Sequence, residues 1–127
     1  MGQLFAIMLG GALGALSRFA VYQLSVQLLG KGFPYGILIV NVLGSLLMGF
    51  ISIYFLTKTS ADPLLRVAIL IGFLGAFTTF SSFSMDTLLL LESGEVTKGL
   101  VNIAANVCLS LLALWVGMLV ARSVFAY

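Results

Sequence analysis

The sequence predicts an all-α membrane protein with four transmembrane helices. The chain has 127 residues, of which 61% are hydrophobic and only 8% are charged. In an average soluble domain about a quarter of the residues are charged. Four apolar segments are each long enough to cross a bilayer, which takes about 20 residues. We therefore expect one four-helix transmembrane domain, residues 1–127, surrounded by lipid.

The four spans are separated by short polar breaks. They are predicted at about residues 4–29, 35–56, 64–91 and 100–121. The breaks between them combine charge with Gly or Pro, which favour turns. The first apolar run begins at Leu4 without a preceding Lys or Arg, and it is longer than the apolar core of a signal peptide. We therefore expect this run to be retained as a helix.

The first span carries a small-residue face and one charge. Gly10 and Gly14 form a GxxxG pattern, which lets two helix backbones approach closely. Arg18 is the basic residue deepest inside a span, where a charge costs about 2.5–3.5 kcal/mol on insertion scales. We expect it to face protein or a water-filled vestibule, where it attracts anions or pairs with an acidic group. Asp86, beyond the middle of the third span, is the candidate partner.

The second and fourth spans carry polar stripes. Asn41 and Ser45 are four residues apart, and Asn102, Asn106 and Ser110 recur at the same spacing, which places each set on one helix face. Uncharged donors of this kind suit an anion or a small polar solute. Asn and Ser also bridge membrane helices, and for a single residue that role is the better interpretation. Two stripes together favour a pathway.

The third span has hydroxyl groups at its centre. Five of the seven residues 78–84 are Ser or Thr, and the other two are Phe80 and Phe83. Polar groups at this depth line a path or a site, or hold helices together. The two Phe residues share a helix face, and aromatic ring edges are positive enough to contact a small anion. Ordinary packing is the alternative for this pair.

The third helix is expected to break near its middle. Gly72 and Gly75 precede Thr78 and Thr79, and glycine followed by two Thr residues is a plausible point of interruption. A break at membrane depth is tolerated only where it is buried in protein or faces a cavity. It would free backbone carbonyl oxygens, which are the ligands that hard cations prefer.

The charges at the two ends of the predicted helices are nearly balanced. Lys31 and Lys98 lie at one end, and Lys58, Arg66 and Arg122 at the other. Because a Lys/Arg bias normally sets orientation, this chain is able to insert both ways up, unless one charge suffices to fix a single topology. Dual insertion permits an antiparallel homodimer with its two-fold axis in the membrane plane. The break near Thr78 would then meet its own copy, and carbonyls would converge on one cation.

Composition argues against several other classes of function. The net charge of +2 is small and its basic residues are dispersed, so we expect no nucleic-acid partner. The chain has no His and a single cysteine, Cys108. With neither a metal-ligand cluster nor a nucleophile–base pair in the sequence, we do not predict an enzyme.

The chain resembles the Fluc (CrcB) family of fluoride channels over its whole length. The resemblance is carried by Gly-Gly-Ala-Leu-Gly-Ala-Leu-Ser-Arg at 10–18, Asn-Val-Leu-Gly at 41–44 with Gly49, and above all residues 72–86. It implies a dual-topology antiparallel homodimer with two narrow fluoride pathways. It also implies a sodium ion at the dimer centre, which is structural and is not transported.

The resemblance also assigns residues. The implied fluoride pathway comprises Asn41, Phe80, Phe83, Asn102, Asn106 and Ser110. The backbone carbonyls of Gly75 and Thr78 would hold the sodium ion, and Arg18 and Asp86 would be vestibule or structural residues. Asp86 stands where relatives often have Glu. The implied function is passive export of cytoplasmic fluoride through the plasma membrane, the inner membrane of a bacterium.

Two alternatives to a channel remain open at this point. A small multidrug-type proton-coupled exporter also has four short spans, but it needs a membrane-embedded carboxylate. The first span has no Asp or Glu, which leaves Asp86 as the candidate. A membrane scaffold without transport activity would use the Asn and Ser residues only for packing.

Overall fold

The computed structural model describes residues 1–125, and within them it contains four helices long and apolar enough to cross a membrane. The predicted all-helical membrane fold is thus confirmed, whereas residues 126 and 127 of the predicted domain lie outside the described part. We number the helices α1 (Gly2–Leu29), α2 (Tyr35–Thr57), α3 (63–77), α4 (Phe80–Glu92) and α5 (Val96–Phe125). Helices α3 and α4 are the two halves of the third span, Pro63–Glu92.

Local signals set the helix ends. α1 ends at Gly30 and the turn after α4 contains Gly94; both have positive φ, 77° and 83°, which glycine adopts without strain. α3 begins with Pro63 after Asp62, whose Oδ1 accepts the Leu64 N–H at 2.8 Å. The fourth span begins at Val96, four residues before the predicted apolar run. The first turn of this span is polar, so a span boundary predicted from hydrophobicity alone excludes it.

Glycine faces hold the helices together in two close pairs. A Cβ added at Gly10, Gly14 or Gly72 would overlap backbone atoms across the contact between α1 and α3. A Cβ at Gly49 or Gly117 would do the same between α2 and α5. Small residues permit this approach, which gains van der Waals contact where lipid provides no hydrophobic driving force.

The predicted break of the third helix is confirmed. Thr78 and Thr79 are extended, with ψ of 157° at Thr78 and φ of −153° at Thr79, and they lie at the middle of the 30-residue span. The Thr79 side chain begins α4 by accepting a hydrogen bond from the Ser82 N–H. Two π-helical turns, Ala68–Phe73 in α3 and Ala105–Leu109 in α5, were not predicted from the sequence.

The outer surface of the four-helix unit is apolar. Helix α1 exposes Leu9, Leu13 and Leu16, each at 60% or more. Near the break, Phe80 is 77% exposed and Gly75 is exposed as well. A surface of this kind needs lipid or another protein to cover it.

Candidate functional site

The side chain of Asn41 on α2 holds the break in the third span. Asn41 Oδ1 accepts the Thr79 N–H at 2.8 Å, and Asn41 Nδ2 donates to the Thr79 carbonyl at 3.0 Å. The side-chain amide thus satisfies both backbone groups of Thr79, as a neighbouring β-strand would. Unpaired backbone groups are expensive at membrane depth, and this pairing explains how the extended residues are tolerated.

A line of amides continues from Asn41 through the protein. Asn41 Nδ2 also donates to Asn106 Oδ1, and Asn106 Nδ2 donates to Asn102 Oδ1, both at 3.0 Å. Asn102 Nδ2 donates to Thr87 Oγ1 at 3.0 Å, and the Thr87 hydroxyl donates to the Phe83 carbonyl at 2.8 Å. The network therefore joins α2, α4 and α5, from the break at Thr79 to the Phe83 carbonyl one turn into α4.

Most of the side-chain N–H donors in the network are already hydrogen-bonded within it. One N–H of Asn41 goes to Thr79 and the other to Asn106, and the Asn106 amide donates to the carbonyl and the side chain of Asn102. Asn102 is 1% exposed and packs between α4 and α5. The helix-bridging role considered from the sequence is therefore present in these asparagines, whatever else they do.

A cavity of about 360 Å³ opens beside the network. It brings together five of the six predicted pathway residues, and Asn102 lies outside its lining. Its polar lining includes Asn41, Ser45, Thr78, Thr79, Asn106 and Ser110, and its aromatic lining is Phe80 and Phe83. The Ser110 hydroxyl is buried and has no hydrogen-bond partner within the described residues. It is thus an unpaired donor in the wall of this cavity.

Phe80 and Phe83 meet edge to face. Their ring centroids are 5.2 Å apart and the planes are inclined at 65°. Phe83 is buried at 7% exposure, whereas Phe80 projects from the chain. In such a pair the positive edge of one ring meets the negative face of the other, and both rings line the cavity together with Ser110.

The break also leaves carbonyl oxygens without partners. The Thr78 N–H donates to the Leu74 carbonyl at 3.1 Å, but the Thr79 N–H turns to Asn41 and so does not close the bond to Gly75. In the described part of the chain, no hydrogen bond ends on the carbonyl of Gly75 or of Thr78. The last carbonyls of a helix lack partners in this way unless a cap or a ligand satisfies them.

Arg18 and Asp86 lie on the wall of a different cavity. It measures about 420 Å³ and is also lined by Tyr22 and Ser82. No ion pair joins Arg18 to Asp86 in residues 1–125, although Asp86 Oδ2 is buried without a hydrogen-bond partner there. Asp86 also faces a second cavity, of about 310 Å³, which contains Lys31. The Asp86 carboxyl group thus lines two cavities, each of which also contains one basic side chain.

Sequence reasoning missed the role of Thr79 and did not single out Thr87. The sequence places Thr79 in the hydroxyl run and at the expected break, but it does not identify the Thr79 backbone as the partner of Asn41. A helix-capping Thr before an apolar segment was the available signal. Thr87 lies outside the hydroxyl run at residues 78–84. The available signal was its spacing of four residues from Phe83, which places both residues on one helix face.

Comparison with known proteins identifies relatives across most of the chain. Residues 5–118 match the family described as CrcB-like protein, Camphor Resistance (CrcB). A protein of Vibrio vulnificus strain YJ016 named "Fluoride-specific ion channel FluC" is 50% identical over 117 residues, which are 92% of this chain and 93% of the relative. A protein of Hydrogenovibrio crunogenus with the same name is 43% identical over 124 residues, 98% of this chain and 94% of the relative.

One relative is considerably longer. The protein of Methylococcus capsulatus with that name is 50% identical over 119 residues, and this chain spans about half of its length, 52%. The Vibrio and Hydrogenovibrio relatives, in contrast, are covered almost completely. With the family match and identities of this size over nearly all of its length, the chain belongs to the CrcB family.

Proposed function

We propose that this chain is a fluoride-selective passive ion channel. The observation that carries the proposal is the cavity at the broken third span, where Phe80 and Phe83 line the same space as the Ser110 hydroxyl, which has no hydrogen-bond partner in residues 1–125. The relatives' names support an ion channel, which is a function without catalysis, and they give no support to the exporter alternative.

The proposed channel is an antiparallel homodimer. With a two-fold axis in the membrane plane, only a residue at mid-depth can meet its own copy, and the break lies at the middle of its span. The exposed Gly75 and Phe80 provide a surface there for the second copy. The nearly balanced basic residues at the two ends of the chain are compatible with both insertions.

A structural sodium ion at the dimer centre fits this geometry. Within residues 1–125, the break leaves the carbonyl oxygens of Gly75 and Thr78, which are hard ligands, without hydrogen bonds. Hard cations prefer such ligands. Each copy contributes two carbonyls, so the pair would surround the ion from both sides. When bound, sodium would supply a fixed charge that ties the two breaks together, and it would not be transported.

The fluoride pathway is proposed to use weak and competing contacts. The Ser110 hydroxyl donates directly, and the rings of Phe80 and Phe83 contribute their edges. Asn41 and Asn106 already have partners, so an ion can take their N–H groups only by displacing a hydrogen bond. Asn102 acts through Asn106, whose amide it holds. Conduction needs binding of this kind, strong enough to replace water and weak enough to release the ion.

Charge determines where fluoride enters the proposed channel and in which direction it flows. Arg18 draws anions toward the cavity that it shares with Asp86, and the carboxylate limits how tightly they are held there. We place the channel in the inner membrane of a bacterium, where the negative interior drives an anion outward. The membrane potential contributes about 2.3 kcal/mol per charge at 100 mV.

Fluoride efflux from liposomes that contain the purified full chain tests this proposal. A fluoride electrode and a chloride electrode record release after an ionophore dissipates the potassium gradient. We expect rapid fluoride release and no chloride release. The Phe83→Ile variant, reconstituted at equal density, provides a protein-containing control that should release fluoride far more slowly. Equal release of both anions, or no release from a folded dimer supplied with sodium, would contradict the proposal.

A further inference from the structure

Thr87 lies at the end of the chain of amides that begins at the break. Its hydroxyl accepts a hydrogen bond from Asn102 Nδ2 at 3.0 Å and donates one to the Phe83 carbonyl at 2.8 Å. Thr87 and Asn102 are 5% and 1% exposed, and neither lines the cavity at the break. Any influence of Thr87 on a solute in that cavity therefore passes through its hydrogen bonds.

Close packing of α4 against α5 brings Thr87 and Asn102 together. A Cβ added at Gly99 would lie 2.7 Å from the Leu91 side chain and 3.6 Å from the Thr87 carbonyl. Gly99 precedes Asn102 by one helical turn, so this glycine permits the approach at the level of the pair. At 1% exposure the Asn102 amide has no access to bulk water, which therefore does not replace Thr87 as its partner.

Backbone groups fix the orientation of two of the three amides. An amide side chain accepts at its oxygen and donates at its nitrogen. Asn41 is oriented by the N–H and the carbonyl of Thr79. Asn106 is oriented by the backbone carbonyl of Asn102, which accepts from Asn106 Nδ2 at 3.0 Å. Within residues 1–125 the Asn102 side chain has no backbone partner, and its hydrogen bonds join it to Asn106 and Thr87.

The Thr87 hydroxyl orients this remaining amide. A hydroxyl group can donate and accept, but the proton of this one goes to the Phe83 carbonyl, so Thr87 meets Asn102 as an acceptor. Asn102 consequently turns its nitrogen to Thr87 and its oxygen to Asn106. That oxygen accepts from Asn106 Nδ2 at 3.0 Å. One hydroxyl group at the end of the chain thus keeps an Asn106 donor engaged.

We propose that Thr87 is a positioning residue that limits how tightly Asn106 binds an ion. Through Asn102 it holds an acceptor against Asn106, which lines the cavity at the break. Without the Thr87 hydroxyl, the Asn102 nitrogen would be a buried donor without a partner, which is costly. The Asn102 amide then turns to find another acceptor, and an Asn106 N–H becomes available to an anion. The effect on binding rests on the proposed fluoride channel, whereas the arrangement of the amides does not depend on the conducted ion.

The sequence provides a selective spectroscopic probe, because Asn41, Asn102 and Asn106 are its only asparagines. The full chain is labelled with ¹³C,¹⁵N-asparagine and reconstituted in nanodiscs, and NMR assigns each side-chain amide by correlation with its backbone. Thr87→Val removes the hydroxyl at nearly constant volume. We expect it to shift the Asn102 and Asn106 amide signals strongly. The Asn41 signal should shift least, because the Thr79 backbone holds that amide.

Two further variants separate the hydroxyl from packing. Thr87→Ser keeps the hydroxyl and should restore the wild-type signals. Thr57→Val is the matched control, since the Thr57 hydroxyl also donates to carbonyls of its own helix, those of Ile53 and Tyr54. In the described part of the chain, no side chain donates to Thr57, so this change should leave all three asparagine signals in place.

Titration of the same samples with sodium fluoride tests the effect on binding. We expect Thr87→Val to bind fluoride about threefold to tenfold more tightly, which corresponds to one hydrogen bond of the strength found in membrane proteins that the ion no longer displaces. Thr87→Ser and Thr57→Val should keep the wild-type midpoint. A purely structural role of Thr87 would lower the folded fraction without moving this midpoint, so an unchanged midpoint in Thr87→Val would overturn the proposal.

The outcomes distinguish the positioning role from the channel itself. A Thr87→Val variant that shifts the Asn102 signal and leaves that of Asn106 in place would overturn the proposal. If this variant does not fold, the wild type decides: fluoride should shift the Asn102 signal together with that of Asn106, and a shift that spares Asn102 would overturn the coupling. Absence of any fluoride-induced shift in the wild type would instead contradict the proposed channel and with it the effect on binding. The spectra without fluoride then judge the amide arrangement by themselves.

Discussion

Replacing Asn41 by Leu tests whether one side chain stabilises the broken span. The substitution keeps the volume similar but removes the two hydrogen bonds to the Thr79 backbone, at 2.8 and 3.0 Å, and the bond to Asn106. It leaves three polar groups without partners in the interior of the bundle. Hydrogen bonds in membrane proteins average about 0.6 kcal/mol and reach about 1.7. Three of them predict a loss of about 2–5 kcal/mol in the free energy of unfolding.

The assay is unfolding in mixed micelles, with the fraction of dodecyl sulfate increased stepwise and helix content followed by circular dichroism. Ser45→Ala is the control, because Ser45 lies one turn away on α2 and also lines the cavity. It should change the free energy little. Asn106→Leu and the double variant complete a cycle that isolates the bond between the two amides. A loss for Asn41→Leu no larger than that for Ser45→Ala would refute the reasoning.

Three further predictions concern packing, conduction and the sodium ion proposed at the centre of the proposed dimer. Gly14→Ala should destabilise the fold by about 1–3 kcal/mol in the same unfolding assay, because its Cβ would overlap the carbonyl of Phe73, whereas the neighbouring Gly11→Ala meets only an atom 3.9 Å away and should be nearly neutral. Phe80→Ile and Phe83→Ile should each strongly reduce fluoride efflux from liposomes while size-exclusion chromatography still shows a dimer, and unchanged efflux in both would remove the aromatic edges from the pathway. Replacing sodium throughout by a bulky organic cation should abolish efflux, and full efflux without sodium would exclude the proposed site.

The sequence predicts the helices well and the hydrogen bonds poorly. Apolar length alone locates four spans, because backbone groups in lipid must be satisfied within each helix. The break was predictable because Gly75 and the two Thr residues interrupt an otherwise regular pattern. The partner of the break was not predictable, since Asn41 is 38 residues from Thr79 and only tertiary packing brings them together. The two π-helical turns, at Ala68–Phe73 and Ala105–Leu109, were not predicted from the sequence either.

The polar stripes show where sequence reasoning reaches its limit. Spacing correctly placed Asn106 and Ser110 on one face, and both line the cavity. Spacing could not distinguish a donor already in use from one that is available. In the structure the Asn106 amide is engaged, and the Ser110 hydroxyl is buried without a partner among the described residues. That difference depends on neighbouring helices, which a one-dimensional pattern does not contain.

The two interpretations of the asparagines, as helix bridges and as a pathway, therefore describe one arrangement. In the proposed channel an ion beside Asn41 competes with the Thr79 carbonyl and Asn106 for each N–H. The binding energy that the ion gains is reduced by the bond that it displaces, so the net affinity stays low. A network in which every N–H donor was unpaired would hold the ion tightly and slow its release. A network in which no hydrogen bond could be displaced would exclude the ion. In the proposed channel, the hydrogen bonds that stabilise the break would thus also set how weakly the pathway binds its ion.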